Sequence, residues 1–151
     1  IIRTNNNKMS TEDKILIAAY NIFLLFGYHG TTLRQIALQA GVNKSAVHYY
    51  FRSKEGLYKR VVKKVIDLIP DLKYNKNTSR KRIEQTRWFL ITEMYNNKKP
   101  FEKVVKELYP DDWAEKINCI VKLLKFNTIP HYLFHLSPYG EKSGISINFR
   151  P

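Results

Sequence analysis

Apolar side chains recur roughly every three to four positions over most of the chain, which is the spacing of one face of an α-helix. The first predicted helix begins after Ser10, which with Asp13 resembles a capping box, and ends at Gly27 in a left-handed cap. The apolar face predicted for this helix consists of Ile15, Ala19, Ile22, Phe23 and Phe26.

The next predicted helices are short and follow each other closely. Thr32 opens the second helix, and Gly41 closes it where a positive φ costs least. Asn43 caps the third helix and Ser53 caps the fourth. The fourth helix repeats its apolar positions at Leu57, Val61, Val65 and Leu68.

Proline at position 70 marks a change in the organisation of the chain. The residue before a proline is pushed out of helical geometry, so we place a domain boundary there. The predicted domains are residues 10–69 and residues 70–151, and the second also has helical periodicity. An apolar stripe in the second domain fits either a dimer interface or an intrachain core, and consists of Ile117, Ile120, Val121 and Leu124. The predicted fold class is all-α.

The stretch from Thr31 to Phe51 has the small and apolar residues that a helix-turn-helix requires. Ala37 allows close approach of two helix backbones, and Gly41 sits where the chain reverses. The predicted wedge between the helices consists of Ile36, Ala40, Val42, Val47 and Phe51. The opposite face of the third helix carries Lys44, Ser45, His48 and Tyr49, and Arg52 and Lys54 flank its end. Such a face suits base edges and phosphates in a major groove.

Lys54 is predicted to lie in the first turn of the fourth helix. A cation is unfavourable there because of the helix dipole, whereas the free N–H groups favour an anion. A DNA phosphate at this end would resolve the conflict.

The charge balance agrees with a polyanionic partner. The chain has 26 Lys and Arg residues against 13 acidic ones, a net charge of +13. Nucleic acid and an anionic membrane surface are both compatible with this surplus.

Cys119 is the only cysteine, which excludes an internal disulfide and favours a cytoplasmic protein. The longest apolar stretch is too short to span a bilayer.

The combined pattern of the first segment resembles the DNA-binding domain of the tetracycline-repressor (TetR) family over roughly residues 12–66. The residues that carry the resemblance are Ile15, Ala19, Phe23, Gly27 and Tyr28, then Thr31-Thr32, Ile36-Ala37 and Ala40-Gly41-Val42, and last Tyr50-Phe51-x-x-Lys54-Glu55-x-Leu57.

The resemblance implies an all-helical homodimer: an N-terminal three-helix helix-turn-helix domain, a linking helix, and a C-terminal dimerisation and effector domain. It implies a transcriptional repressor that binds a palindromic double-stranded operator and is released by a small-molecule effector. The DNA-contacting positions implied are Thr32, Lys44, Ser45, Ala46, His48, Tyr49, Tyr50 and Lys54. His48 departs from the family, which usually has tyrosine there. The second domain is short or incomplete for the family, and a reduced domain would put a large effector cavity in doubt.

The second domain has no residues at catalytic spacing, so we expect no enzyme and no cofactor. Candidate effector-binding residues are Trp88, Met94, Tyr95, Trp113 and Cys119, which at helical spacing also fit a core. His131 and His135 have the spacing of a metal clamp, but Pro130 and Pro138 bracket them and few carboxylates lie nearby, so no metal site is expected. The alternative function is a basic adaptor or membrane-surface protein that does not read DNA sequence.

Overall fold

The computed structural model of the chain describes residues 8–70 and 80–126, and of Lys125 and Phe126 only the backbone. The regular elements of this described part are helices, and it contains no β-strand, which confirms the all-α prediction. The helices are α1 (Thr11–Gly30), α2 (Leu33–Ala40), α3 (Lys44–Phe51), α4 (Lys54–Asp67), α5 (Arg80–Asn96), α6 (Lys98–Leu108) and α7 (Trp113–Phe126). None of these helices is long and apolar enough to cross a membrane.

The chain divides into two compact units, an N-terminal one up to Val62 and a C-terminal one from Lys63. The division lies inside α4, so this helix contributes residues to both units. The domain bounds expected from the sequence, 10–69 and 70–151, stay a prediction.

Local side-chain caps begin the first three helices. The Ser10 hydroxyl accepts the backbone N–H of Asp13 at 3.1 Å and donates to the Asp13 carboxylate at 2.7 Å. A full capping box begins α2, because Thr32 Oγ1 accepts the Gln35 N–H and Gln35 Oε1 accepts the Thr32 N–H. Asn43 Oδ1 accepts the Ala46 N–H at 2.8 Å. The predicted caps are thereby confirmed.

The helical geometry of α1 breaks at Gly27, where its end was predicted, but the break is a kink and not a left-handed cap. Gly27 has a positive φ (72°) with a ψ of 174°, which kinks the helix, and a further turn follows to Gly30. Phe26, predicted to lie on the buried face, is 46% exposed. The kink is stabilised by Thr31, whose buried hydroxyl donates to the Gly27 carbonyl at 2.6 Å. This contact supplies a partner for a carbonyl that the kink removes from regular helical bonding.

Thr31→Val is expected to destabilise the chain by about 1–3 kcal/mol, because an isosteric methyl leaves a carbonyl without its hydrogen-bond donor. Urea denaturation followed by circular dichroism measures the change. Thr11→Val, at the first position of α1, is the matched control and is expected to stay within about 0.5 kcal/mol of the parent chain. Equal stability of Thr31→Val and the parent would contradict the role of this hydroxyl.

An aromatic cluster forms the core where α1 meets the start of α4. The ring of Tyr58, fully buried, contacts Phe23 and Tyr28 edge-on, with centroid distances of 5.0 and 4.8 Å. The predicted positions Leu57, Val61 and Val65 are buried, and Leu68 is half-buried. The periodicity did not predict that Tyr58 is buried, because its polar hydroxyl favours a position at the surface. This cluster fixes the first turns of α4 against α1.

In the C-terminal unit α5, α6 and α7 pack against one another in pairs. Its core contains Phe89, Leu90, Phe101, Val105 and Ile120. The stripe expected on α7 divides between two environments: Ile120 is buried, whereas Ile117, Val121 and Leu124 are half-buried.

A hydrogen bond within this unit ties the end of α4 to the residue that follows α6. The Tyr109 hydroxyl donates to Asp67 Oδ1 at 3.0 Å. Burial and this bond raise the pKa of Tyr109 to about 12, because both favour the neutral phenol. The neutral, hydrogen-bonded form is therefore the one present in ordinary buffers.

Candidate nucleic-acid interface

The turn between α2 and α3 has the geometry of a Schellman motif. Gly41 adopts a left-handed conformation (φ 69°, ψ 33°). Its N–H donates to the Leu38 carbonyl at 3.2 Å, and the N–H of Val42 donates to the Ala37 carbonyl at 3.0 Å. The predicted reversal at Gly41 is confirmed, and it sets the direction in which α3 leaves α2.

The predicted wedge holds α3 through part of its length. Ile36, Val47 and Phe51 are buried, and Ala37 is 4% exposed. Ala40 and Val42, the other two wedge positions, are half-buried. Buried contacts on one side of α3 leave its opposite side to solvent.

The solvent-facing side of α3 carries most of the residues expected to contact DNA. Lys44, Ser45, His48, Tyr49 and Tyr50 are exposed, and Ala46 is half-buried. Tyr49 is the most open, with 79% of its surface exposed, and its ring lies edge-on to Tyr50 at 5.0 Å. Two exposed aromatic rings in contact on one short helix are typical of a binding surface, where tyrosine is enriched.

Thr32 is exposed at the start of α2, but its polar groups already have partners. Its hydroxyl lies 3.0 Å from Gln35 Oε1 and accepts the N–H of the same residue. A phosphate contact by this hydroxyl therefore requires it to give up a hydrogen bond to Gln35.

His48 makes a local hydrogen bond at the end of α3. Its Nδ1 lies 3.1 Å from the Arg52 carbonyl oxygen. A carbonyl only accepts, so Nδ1 carries the hydrogen, and in the neutral ring Nε2 is then an acceptor. A neutral His48 in this position cannot donate to phosphate, and a phosphate contact by its ring stays a prediction.

The junction between α3 and α4 is a tight turn centred on Arg52. The φ of Arg52 is 63° and its ψ is −40°, and the Ser53 N–H donates to the Phe51 carbonyl at 2.7 Å. This combination is a γ-turn of the rarer, strained kind. Because α4 begins two residues later, the turn determines how α3 and α4 are oriented.

Gly56 lets the first turn of α4 lie against the end of α3. A Cβ built on Gly56 would lie 2.6 Å from the Phe51 carbonyl oxygen. The Ser53 hydroxyl caps this turn by accepting the Gly56 N–H at 3.0 Å. Sequence reasoning missed Gly56, although glycine inside a predicted helix is an available signal of close backbone approach.

Lys54 has partners inside the chain at the position where we expected a phosphate. Its Nζ donates to the carbonyls of Tyr28 (2.9 Å) and Thr31 (3.2 Å), and it lies 4.6 Å from the centroid of the Tyr28 ring. The half-buried ammonium therefore compensates the C-terminal carbonyls of α1, where a cation is favourable. The conflict at the start of α4 is thus resolved by the chain itself, and a phosphate contact by Lys54 stays a prediction.

The candidate effector residues lie in different environments. Trp88, Met94 and Cys119 are half-buried on α5 and α7. Tyr95 is 78% exposed, and Trp113 is 36% exposed with Lys106 Nζ 4.5 Å from its ring centroid. Residues 8–70 and 80–126 therefore do not enclose Tyr95 and Trp113.

No group of three or more metal-ligating side chains occurs in residues 8–70 and 80–126. His131 and His135 lie outside the described residues.

Comparison with known proteins agrees with this geometry. Residues 15–61 match the family of bacterial regulatory proteins called tetR. The transcriptional regulator RutR of Escherichia coli (strain K12) is 52% identical over 54 residues, which are 36% of this chain and 26% of RutR. The negative transcriptional regulator IcaR of Staphylococcus aureus (strain Newman) is 30% identical over 109 residues, which are 70% of this chain and 59% of IcaR. The chain thus spans about a quarter of the length of the first relative and less than two thirds of the second.

One solved structure resembles more of the chain. It is the crystal structure of a HlyIIR mutant in which a linker replaces residues 169–186, and it is 26% identical with a TM-score of 0.50. The similarity covers 83% of this chain and 74% of the HlyIIR mutant. Together with the Schellman turn, the buried wedge and the exposed α3, these matches show that the N-terminal unit of this chain is a helix-turn-helix domain of the TetR family.

Proposed function

We propose that this protein is a sequence-specific DNA-binding transcriptional regulator, and more specifically a repressor that acts as a homodimer on a palindromic operator. The observation that carries the proposal is the exposed polar and aromatic face of α3, which a buried wedge on the other side of the helix supports. IcaR is named a negative regulator, which favours repression over activation.

The chemistry of α3 divides naturally between base reading and backbone contact. Lys44, Ser45 and Tyr49 offer a cation, a hydroxyl and an aromatic phenol to base edges, and the Ala46 methyl suits a thymine methyl. Tyr50 and Thr32 would contact phosphates through their hydroxyls, Thr32 after its hydroxyl has given up a capping hydrogen bond. Each phosphate contact by a cation would add salt dependence. Two subunits would insert two copies of α3 into grooves about 34 Å apart, which accounts for a palindromic operator.

Release by a small-molecule effector is the finer part of the proposal. The half-buried Trp88, Met94 and Cys119 are the residues of the C-terminal unit that suit an apolar ligand best. Tyr95 and Trp113 are exposed among the described residues, so an effector or a second subunit would have to cover them.

The decisive experiment is selection of duplexes from a random pool, followed by affinity measurements on the selected sequence and on its scrambled version at moderate salt. A sequence reader binds its site about 10³-fold or more tightly than other DNA. A basic adaptor or membrane-surface protein would bind both duplexes alike, and that result would overturn the proposal.

Tyr49→Ala is expected to reduce the preference for the selected sequence by about 10- to 100-fold, because a good base contact contributes about 1–3 kcal/mol of discrimination. Affinity for scrambled DNA is expected to change little. Tyr95→Ala, which removes a similarly exposed tyrosine from α5, is the control and should leave the preference intact. Retention of full preference by Tyr49→Ala would remove Tyr49 from the reading surface.

A further inference from the structure

We propose that Arg52 is an additional DNA-phosphate contact, which the γ-turn after α3 and the His48 imidazole hold at the end of the recognition surface. The inference rests on the proposed function and adds a residue that the resemblance did not supply. It concerns the sugar–phosphate backbone and not the bases.

The backbone conformation of Arg52 supports a binding role for its side chain. Within residues 8–70 and 80–126, Arg52 is the only non-glycine residue with a positive φ. Glycine would adopt this conformation without strain, and asparagine at less cost than arginine. Strained backbone persists where surrounding contacts impose it, and it concentrates at binding and catalytic sites. An arginine in this position therefore suggests that its side chain has a use there.

Three hydrogen bonds fix the turn at Arg52. The Arg52 N–H donates to the His48 carbonyl at 2.9 Å, and the His48 Nδ1–H donates to the Arg52 carbonyl at 3.1 Å. The Ser53 N–H closes the turn on the Phe51 carbonyl. A fixed backbone reduces the ordering cost of binding, because only the side chain remains to be immobilised. His48 thereby acts as a positioning residue for Arg52.

The charges near the turn also favour Arg52 as a phosphate contact. Two other cations near the turn have partners within the chain: Arg60 pairs with Glu12 at 2.7 Å, and Lys54 binds backbone carbonyls. Arg52 is exposed, and among the described residues its guanidinium has no ion-pair partner. In sequence it comes two residues after the exposed Tyr50, with the buried Phe51 between them. A guanidinium presents several N–H donors in a planar fork that matches phosphate oxygens.

Arg52→Asn tests the inference, because asparagine tolerates the positive φ while removing the charge. The readout is the slope of log affinity against log salt between about 50 and 200 mM for a random-sequence duplex. The slope is expected to become shallower by about 1 per subunit, with thermal stability unchanged or raised. Arg52→Lys should retain most of the slope, because the charge remains.

Arg80→Gln is the matched control, since it removes one cation from a side chain that is 92% exposed on α5. It should leave the slope unchanged. An unchanged slope for Arg52→Asn, or an equal loss in both variants, would overturn the role of Arg52 while the proposed function stands. If the parent chain shows no salt-dependent duplex binding, the proposed function and this inference both fail.

Discussion

Gly56→Ala is expected to destabilise the N-terminal unit by about 1–3 kcal/mol. The steric overpacking by the added methyl destabilises the unit more than the higher helix propensity of alanine stabilises it. The added methyl would lie 2.6 Å from the Phe51 carbonyl oxygen, and a backbone atom cannot turn away as a side chain can. The relief available is a displacement of α3 from α4, so DNA affinity should fall together with stability.

Urea denaturation and duplex binding measure the two effects of Gly56→Ala. Gly30→Ala is the matched control, because its Cβ would lie at an ordinary 3.4 Å from Phe26 Cβ and its φ is not positive. The control should keep the stability and the affinity of the parent. A Gly56→Ala chain as stable as Gly30→Ala would show that the junction between α3 and α4 is looser than its geometry indicates.

Lys54→Met is expected to destabilise the same unit by about 2–3 kcal/mol, since hydrogen bonds to charged groups contribute about 1.5–3 kcal/mol each and are not additive. The variant keeps an apolar side chain of similar length but leaves the carbonyls of Tyr28 and Thr31 without their ammonium donor. DNA affinity should fall similarly for all sequences, because the first turn of α4 packs against the end of α3 and holds this helix in place.

Guanidinium denaturation separates this role from a simple phosphate contact, whose loss would weaken DNA binding and leave stability unchanged. Lys63→Met is the control on the same helix: its exposed ion pair with Asp67 is expected to contribute only about 0.3–0.5 kcal/mol. If Lys54→Met unfolded at the same guanidinium concentration as the parent chain, the structural role of the ammonium would be refuted.

The parts of this fold that were predictable are those decided within a few residues. Caps at Thr32 and Asn43 involve partners three positions away, and the reversal at Gly41 depends on its missing Cβ. Helical periodicity likewise identified Val47 and Phe51 as the inner face of α3, and so its opposite face as the binding surface. Lys44, Ser45, His48 and Tyr49 follow from that assignment, whereas Thr32, Ala46 and Tyr50 come from the family resemblance. The individual contacts stay predictions.

Contacts between residues distant in sequence decided the rest. The Lys54 ammonium meets carbonyls 23 and 26 residues earlier in the chain, and no local pattern encodes that approach. The strained turn at Arg52 exists because α3 and α4 are both anchored in the core, so the two residues between them, Arg52 and Ser53, must absorb the angle. Spacing along a helix specifies which side of it is apolar, but the packing of the other helices determines what each side meets.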